Sequence, residues 1–379
     1  MRCGVLIEYD QSGEFAGVAL RGVQVRDVSF ADRGFVRPAD DVRTANGTIR
    51  YGWGIRFLVH TRGTVLRDVS LQNCRIERVD HTGLKFTAPA DGIRDLRVRD
   101  VSVSDVGGPG VQMSGVTGGH VVGISVDRSG SASDTRHWGR GSGLWTWETR
   151  DVVIEHSRFT NANGPGDSAG VHIDYRCRNV IVQYNLSANN AGGFLEILGD
   201  NHQCAYRYNV SVNDGRRVKG REGAFQEGKI FWLSGYVGPR TRPTGPFNSY
   251  CYNNTIFVGP EIEPRVAVAP TAAGVLVANN IFHFHRPARV VTGDQLQTDQ
   301  ATRAPVKRVI FAHNLFLHAD DWPAGSGLES TAAIIGDPRF ARPGGWRLED
   351  YVPREAALVK DRGLPIPVLP GDTLGRSEE

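Results

Sequence analysis

The sequence has few of the features that would place it in several large classes of protein. Among its 379 residues only five are lysine and five are cysteine, and the formal net charge is only +3. A positive charge so small and so evenly spread does not favour nucleic acid as a partner. The cysteines are odd in number and lack CxxC spacing, which argues against a zinc site and against a complete disulfide framework.

Long apolar segments and the common cofactor motifs are also missing. No apolar run approaches the ~18 residues that cross a bilayer, so no membrane span is expected. The first residues, MRCGVLIEYDQSGEF, lack the apolar region of a signal peptide. We expect a secreted or periplasmic location if such a segment has been removed, and a cytoplasmic one otherwise. Phosphate-binding loops, HExxH and EF-hand loops are absent, and the sequence carries no signal for an oligomeric state.

The sequence does contain an internal repeat. A short β-branched run, a polar residue and a second alternating run recur along the chain. The copies are VQVRDVSF (23–30), VLRDVSLQN (65–73), LRVRDVSVSD (96–105), VVIEHSRFTNAN (152–163), VIVQYNLSANN (180–190), YRYNVSVND (206–214), YNNTIFVG (252–259), VANNIFHFH (277–285) and FAHNLFLHA (311–319). The polar pivots are Asp27, Asp68, Asp100, His156, Asn185, Asn209, Asn254, Asn280 and Asn314. We expect the repeated Asn to form a ladder in which amides of successive coils bond each other and hold a turn.

Each repeat also carries a second strand that opens with glycine. These strands are GIRFL (54–58), GLKFT (83–87), GVQMS (110–114), GLWTW (143–147) and GVHID (170–174). Two short strands per ~25 residues, without helical periodicity, predict an all-β solenoid. The best fit is a right-handed parallel β-helix of about ten coils, in which stacking buries one continuous core.

The repeat also predicts the domain organisation. Residues 1–319 form the β-helix domain, with loop insertions near 128–142 and 234–249. Residues 320–379 are rich in proline and form an irregular tail that packs on the helix. Insertions in such solenoids often build the binding groove.

When the opening glycines are aligned, with Gly192 as the sixth, two columns of outward side chains appear. Side chains alternate along a strand, so positions two and four after each glycine share one face. Position two holds Arg56, Lys85, Gln112, Trp145, His172 and Phe194, and position four holds Leu58, Thr87, Ser114, Trp147, Asp174 and Glu196.

This alignment predicts a pair of catalytic carboxyl groups. Asp174 and Glu196 are 22 residues apart, about one coil, and would lie one above the other. Parallel strands are ~4.8 Å apart, which is near the ~5–5.5 Å carboxyl separation of retaining glycosidases. Mutual repulsion would leave one carboxylate as nucleophile and one carboxylic acid as proton donor.

Several neighbours of this pair are candidates for substrate binding. Aromatic rings stack on sugars, and cationic or amide side chains bond sugar hydroxyls. The candidates are Trp145, Trp147, Trp232, His172, Lys229, Lys85, Arg56, Gln112 and, in the loop NGPGDSAG (163–170), Asp167.

Over roughly residues 18–318 the repeat resembles the large β-helix superfamily of polysaccharide-active enzymes. Within it, the phrases GVHID and GGFLEIL resemble two adjacent-coil motifs of the retaining β-xylosidase family that is built on a parallel β-helix. The resemblance implies that Asp174 is the nucleophile and Glu196 the acid/base. It also implies a carbohydrate substrate and no cofactor.

Two other functions fit the same residues. A polysaccharide lyase would use cationic residues such as Arg56, Lys85 and His172 on a uronate polymer, and Asp174 and Glu196 would then hold Ca²⁺. A non-catalytic glycan-binding solenoid would bind sugar without either carboxylate, because fold alone does not decide function. A retaining glycoside hydrolase is the function that the carboxyl pair favours.

Overall fold

The computed structural model describes residues 2–29, 52–130, 140–238, 240–291, 308–323 and 327–366, and their strands form three long sheets. Neighbouring strands within each sheet are parallel. The chain visits the three sheets in turn, so each coil adds one level to all of them. This architecture is the predicted right-handed parallel β-helix, and the ten strands of the first sheet confirm about ten coils.

Sheet 1 is built from the strands that open each coil. Their inward residues are aliphatic or aromatic, which favours extended backbone and a stacked core. Its strands are β1 (Arg2–Tyr9), β5 (Gly52–Val59), β9 (Leu84–Thr87), β12 (Val111–Ser114), β15 (Leu144–Trp147), β18 (Val171–Tyr175), β21 (Gly193–Ile197), β24 (Lys229–Leu233), β27 (Arg265–Val268) and β30 (Arg289–Val290).

Sheet 2 follows sheet 1 within each coil. Its strands are β2 (Gly13–Ala16), β3 (Ala19–Arg21), β6 (Thr64–Arg67), β7 (Ser70–Gln72), β10 (Ile93–Arg99), β13 (Val116–Val122), β16 (Arg150–Glu155), β19 (Arg178–Gln183), β22 (Ala205–Arg207), β25 (Tyr250–Tyr252), β28 (Val275–Ala278), β31 (Val309–Ala312) and β33 (Ser330–Thr331).

Sheet 3 closes each coil. Its strands are β4 (Gln24–Val28), β8 (Arg75–Val79), β11 (Ser102–Val106), β14 (Ser125–Ser129), β17 (Arg158–Thr160), β20 (Leu186–Ala188), β23 (Val210–Val212), β26 (Thr255–Val258), β29 (Ile281–Phe284), β32 (Leu315–Phe316) and β34 (Ile334–Ile335).

The prediction of two strands per coil is wrong, because most coils have three strands and the first two have four. The repeated phrase spans two strands that meet at a corner, as β16 and β17 do in the phrase 152–163. The corner residue His156 has a φ of 49°, which turns the chain out of the extended region between the two strands. A corner of one or two residues is too short to break the alternating pattern that the sequence shows.

The predicted asparagine ladder is confirmed for its five asparagines. Asn185, Asn209, Asn254 and Asn280 each donate from Nδ2 to the Oδ1 of the next asparagine at 2.9–3.1 Å, and the last acceptor is Asn314. Each of the five also donates from Nδ2 to a backbone carbonyl of a neighbouring strand. The ladder therefore holds one corner along five coils.

The other four pivots do not belong to this ladder. His156 aligns with Tyr184, the residue before Asn185, because Glu155 pairs with Gln183. Asp27, Asp68 and Asp100 are likewise corner or bulge residues with φ of 52–57°. A short polar side chain tolerates this left-handed conformation, which explains why these positions look alike in sequence.

The core runs the length of the helix and is apolar. Alternate residues of all three sheets point into it, and rings on successive coils stack, as Phe57 and Phe86 do at 5.0 Å between centroids. Four cysteines, Cys74, Cys177, Cys204 and Cys251, are buried in this core as free thiols. Stacking of coils therefore buries the face that no single coil could bury alone.

The C-terminal tail lies on sheet 3 and on the asparagine corner. Past residue 319, β33 pairs with β31 and β34 pairs with β32. The tail then forms two short 3₁₀ helices, Leu348–Tyr351 and Ala356–Leu358, and packs Phe340 and Tyr351 against Phe257. Residues 324–326 and 367–379 of the predicted tail, and 131–139 and 239 of the predicted insertions, lie outside the described residues. In the described ranges no helix is long and apolar enough to span a bilayer.

Candidate active site

The outward face of sheet 1 brings most of the predicted site residues into one column. Arg56, Lys85, Gln112, Trp145 and His172 are register partners on successive strands. All five side chains are buried even though they point away from the core. A buried column that contains two cations and an imidazole is unusual for the outside of a solenoid, and it marks this face as the candidate site.

The sixth member of the column is Glu196, and the predicted register is wrong. Ile173 pairs with Ile197, an offset of 24 residues rather than 22, so Glu196 lies level with His172 and not with Asp174. Phe194, predicted to point outward, belongs to the core with Leu195 and Ile197. Glu196 remains on the outer side, where its next register partner is Trp232.

Two glycines explain why the alignment fails here. A Cβ on Gly192 would lie 1.7 Å from the carbonyl oxygen of Asp167, and one on Gly193 would lie 1.8 Å from that of Lys229. These glycines allow backbones to approach closely, whereas the alignment assumed that glycine only opens each strand. The coil therefore has two residues more than the sequence alignment gave it.

Asp174 lies in a β-bulge. Thr146 pairs with Ile173 but Trp147 pairs with Tyr175, so Asp174 is the extra residue. The fourth-position column consequently continues from Trp147 to Tyr175, and the predicted placement of Asp174 in that column is wrong. Bulges often re-aim a side chain next to an active site.

The bulge turns Asp174 toward the His172 column. The indole Nε1 of Trp145 donates to Asp174 Oδ2 at 2.8 Å. His172 Nε2 lies 3.9 Å from Asp174 Oδ1, and His172 Nδ1 lies 3.4 Å from Glu196 Oε2. The imidazole therefore contacts both predicted catalytic carboxyl groups, one through each ring nitrogen.

The two carboxyl groups differ in exposure and in hydrogen bonding. The Asp174 side chain is 13% exposed and the Glu196 side chain 1%. Glu196 Oε2 and His172 Nε2 make no hydrogen bond to any described residue. Burial raises the pKa of Asp174 above its ordinary value, although His172 opposes the shift. Burial likewise raises the pKa of Glu196, against the opposing effects of His172 and Lys229.

Asp167 forms a third buried carboxyl group in the same cluster. It forms an ion pair of 3.1 Å with Arg140, and its backbone N–H donates to Gln226 Oε1 at 2.7 Å. Burial disfavours its charge, but Arg140, His172 and Arg217 outweigh burial and hold the pKa of Asp167 below its ordinary value. Asp167 is therefore ionised, and its charge contributes to raising the pKa of Asp174 and of Glu196.

Aromatic rings form a wall beside Asp174. Trp147 packs edge-on against Trp145 at 6.4 Å and lies 4.8 Å from Tyr175, while Trp145 stacks on His172 at 6.0 Å. Trp145 and His172 are buried, whereas Trp147 and Tyr175 are partly exposed. The exposed part of the wall therefore borders the one carboxyl group that solvent also reaches.

The remaining predicted site residues lie at the two ends of the column. Lys229 Nζ lies 3.9 Å from the ring centroid of Trp232 and donates to the Glu227 carbonyl, on the Glu196 side. At the other end, Lys85 Nζ donates to Gln112 Oε1 at 2.7 Å. The structure brings Lys229 and Trp232 close to the carboxyl groups. The cations of Arg56 and Lys85 instead contact the ring of Trp53, at 4.6 and 4.7 Å.

Sequence reasoning missed several residues of the site. Arg217 is buried and donates to the backbone carbonyls of Asp167 and Gln226, so it links the 163–168 loop to the 215–228 segment. Its burial lowers its pKa to about 10. Tyr236 lies near Arg140 and Asp174, and both charges act on its pKa, which burial raises above its ordinary value. These contacts join residues 9 to 96 positions apart in sequence, and no local sequence pattern predicts them.

Within the described ranges, no group of three or more His, Cys, Asp or Glu side chains is arranged to hold a metal ion. Asp174 and Glu196, which a lyase would use for Ca²⁺, instead lie on opposite nitrogens of one imidazole.

Comparisons with known proteins agree with this architecture. A family model described as a right-handed beta helix region matches residues 53–218, which include Trp145, His172, Asp174 and Glu196. No curated protein sequence matches the chain.

Among solved structures, the GH136 lacto-N-biosidase from Eubacterium ramulus is similar, with a TM-score of 0.50 and 19% identity. The match covers 75% of this chain and 45% of that one, so the chain spans less than half the length of this neighbour. DFA-IIIase from Arthrobacter chlorophenolicus A6, in complex with GF2, matches with a TM-score of 0.45 and 13% identity over 73% of this chain and 66% of that one. The likeness to the lacto-N-biosidase, at 19% identity, shows the fold alone.

Proposed function

We propose that the protein is a glycoside hydrolase that acts on an oligosaccharide or polysaccharide. The proposal rests on the cluster of Asp174, His172 and Glu196. The imidazole of His172 lies between the partly exposed carboxyl group of Asp174 and the buried one of Glu196, and the aromatic wall borders Asp174. A solved lacto-N-biosidase on the same fold supports the reaction class, and the cluster supplies the chemistry.

The hydrogen bonds support Asp174 as the nucleophile. Its Oδ2 accepts the Trp145 N–H, which favours the ionised form, and its side chain is the exposed member of the pair. Glu196 Oε2 accepts no hydrogen bond and is 1% exposed, which favours the protonated form. Glycoside hydrolysis of either stereochemistry needs one ionised and one protonated carboxyl group, and the assignment of Asp174 as nucleophile makes the proposed mechanism a retaining one.

Because Glu196 is buried, we propose that His172 transfers the proton of Glu196 to the substrate. Glu196 does not face the exposed wall, whereas His172 Nε2 faces Asp174 and His172 Nδ1 faces Glu196. In the tautomer that carries its proton on Nε2, the imidazole donates to the glycosidic oxygen while Nδ1 takes the proton of Glu196. Glu196 would thus supply the proton and His172 would deliver it.

The proposed reaction then balances in two steps. An Asp174 oxygen attacks the anomeric carbon, the bond from that carbon to the glycosidic oxygen breaks, and the leaving oxygen takes the proton from His172. In the second step water attacks the anomeric carbon, the bond from that carbon to the Asp174 oxygen breaks, and a proton of the water returns through His172 to Glu196. Asp174 leaves as the carboxylate, and the anomeric configuration is retained.

The test is hydrolysis of a panel of nitrophenyl glycosides by the full chain, with the anomer of the first product read by NMR. We expect release of nitrophenol from at least one glycoside, with retention. Asp174→Asn should lower kcat by on the order of 10⁴-fold, and Glu196→Gln by about 10²–10⁴-fold.

Two further arms separate the alternatives. Asp167→Asn is the matched control, since it removes a third buried carboxylate of the cluster and should change activity less than Asp174→Asn does. The second arm measures ultraviolet absorbance after incubation with a uronate polymer, with and without chelator. Absorbance from unsaturated products would show that the protein is a lyase and not a hydrolase. Full activity in both Asp174→Asn and Glu196→Gln would remove the assigned roles.

A further inference from the structure

A second polar row lies on the same face of sheet 1, next to the aromatic wall. Thr87 of β9 pairs with Ser114 of β12, and Ser114 pairs with Trp147 of β15. These side chains point outward, because the preceding residues Phe86 and Met113 are buried in the core. Thr87, Ser114 and Trp147 therefore form a row with one residue per coil that ends beside Asp174.

The hydroxyl groups of this row lack partners. Thr87 Oγ1 and Ser114 Oγ are buried and make no hydrogen bond within the described part of the chain. Ser114 is 6% exposed as a residue. Buried hydroxyl groups without partners are destabilising and rare in folded proteins, and here two occur on adjacent coils.

Other hydroxyl groups on the same strands and loops are bonded. Ser142 Oγ accepts the backbone N–H of Ser168 at 3.2 Å, and Thr149 Oγ1 donates to the Trp147 carbonyl at 3.0 Å. Among the buried hydroxyl groups of the described residues, only those of Thr87 and Ser114 lack a partner. Unsatisfied polar groups grouped beside a reactive centre point to a ligand that satisfies them.

The side chains of the row also differ in size from coil to coil. Leu58 precedes Thr87 in the row and Trp147 follows Ser114, so two small side chains stand between two large ones. At the edge, Gly115 has a φ of 73°, and a Cβ there would lie 2.4 and 2.3 Å from the carbonyl oxygens of Ala88 and Pro89. Only glycine allows the chain to close so tightly around Ser114.

We infer that Thr87, Ser114 and Trp147 form a sugar-binding subsite beside Asp174, and that the substrate is at least a disaccharide with a neutral unit at this position. The inference rests on the proposed glycoside hydrolase function. A hydroxyl side chain both donates and accepts, as a sugar hydroxyl does, and an indole ring packs on the apolar face of a sugar. The row itself carries no charge, and the adjacent Lys85 ammonium already donates to Gln112.

The first experiment measures binding without turnover. The full-length Asp174→Asn variant is applied to a microarray of neutral and uronate-containing oligosaccharides, from disaccharides to hexasaccharides. We expect binding to a neutral set, weakened about tenfold by Thr87→Val or Ser114→Ala, since each removes one hydrogen bond to the ligand. Binding that is unchanged in both variants, or is restricted to uronate glycans, would overturn the subsite.

The second experiment compares substrates of two lengths. With the same two substitutions in the active chain, kcat/KM for the oligosaccharide found on the array should fall about tenfold, while kcat/KM for the nitrophenyl monosaccharide should stay the same. Equal effects on both substrates would overturn the subsite. If the wild type binds the oligosaccharide but cleaves neither substrate, the hydrolase proposal fails and the subsite is retained.

Stability provides a readout that needs no ligand. Replacing an unsatisfied hydroxyl by an apolar group of similar shape should raise the unfolding temperature, so Thr87→Val and Ser114→Ala should each be stabilising. Thr149→Val is the matched control, because its hydroxyl is bonded, and it should be destabilising. Destabilisation by all three would show that Thr87 and Ser114 are satisfied within the protein, and would overturn the subsite.

Discussion

The asparagine corner and the His172 column both bury polar side chains over several coils, but they satisfy them differently. In the corner, Asn254 accepts from Asn209 and donates to Asn280 and to the Tyr206 carbonyl, all at 2.9 Å. In the column, His172 Nε2 and Glu196 Oε2 have no hydrogen-bond partner among the described residues. Both rows run along the same solenoid, so the fold itself does not impose the difference.

We interpret this difference as one between a structural role for the corner and a functional role for the column. A satisfied buried network stabilises one conformation, while an incompletely satisfied one is destabilising and requires another explanation. The unsatisfied atoms, His172 Nε2 and Glu196 Oε2, also belong to the cluster in which burial raises the pKa of Asp174 and of Glu196. We therefore expect substitutions in the column to change activity and substitutions in the corner to change stability.

After the two carboxyl substitutions, the largest expected effect is that of His172→Gln. Glutamine is polar and of similar length, but it cannot take a proton on one side and release it on the other. We expect kcat on the nitrophenyl glycosides to fall by about 10³-fold, within the range for loss of general acid–base catalysis. The free energy of unfolding, from urea denaturation, should change by about 1 kcal/mol or less.

The pH profile separates proton delivery from packing. A variant that lost only the shape of His172 would keep the wild-type pH dependence of kcat at a lower level. Loss of proton delivery should instead remove the limb of the kcat–pH profile that reports the titration of the proton donor. A large loss of stability with an unchanged pH profile would contradict the comparison, because the column would then be structural.

The sequence was sufficient for the fold because stacking repeats the same physical demand at every coil. The alternation in GIRFL, GLKFT and GVQMS reports which residues face the core, and the asparagines of the ladder recur because each needs the next. These are local patterns, and they predict the β-helix, its number of coils and the ladder.

The site was predictable in its residue types but not in its register. Trp145, His172 and Glu196 were recognisable as outward polar or aromatic residues, yet the bulge at Asp174 and the extra length before Gly193 change which of them are level. Bulges depend on contacts with the next coil, which a single strand does not encode. The bonds of Arg217 to the 163–168 loop span about 50 residues and have no local signature.

A smaller effect is expected in the corner. Asn254→Ala leaves the amide of Asn209, the Oδ1 of Asn280 and the Tyr206 carbonyl short of a partner. We expect a loss of about 3 kcal/mol in the free energy of unfolding, measured by urea denaturation, with kcat per folded molecule unchanged. Asn253→Gly, at the adjacent position with a φ of 53°, is the matched control and should have little effect on either. If Asn254→Ala lost activity without losing stability, the proposed distinction between the asparagine corner and the His172 column would be wrong.

The smallest effect concerns Asp214, a carboxyl group in a satisfied corner. Its Oδ1 accepts from Asn190 Nδ2 at 2.9 Å and its Oδ2 accepts from Ser211 Oγ at 2.7 Å. Burial nevertheless raises its pKa to about 7, from 3.8. The folded protein therefore keeps this proton where the unfolded chain has lost it, so the contribution to stability is complete below pH 3.8 and is lost as the pH rises through about 7.

Asp214→Asn should remove this pH dependence while keeping the shape of the side chain. The stability of the variant relative to the wild type should increase by about 2 kcal/mol from pH ~5 to pH ~7 and stay level above that. Urea denaturation of both proteins across this range measures the difference, and Asp100→Asn at an exposed turn is the control. A constant difference would mean that Asp214 is ionised in the folded protein throughout. Satisfied hydrogen bonds would then be enough to hold a buried charge here, and the raised pKa of Glu196 would follow from the missing partner of its Oε2 rather than from burial alone.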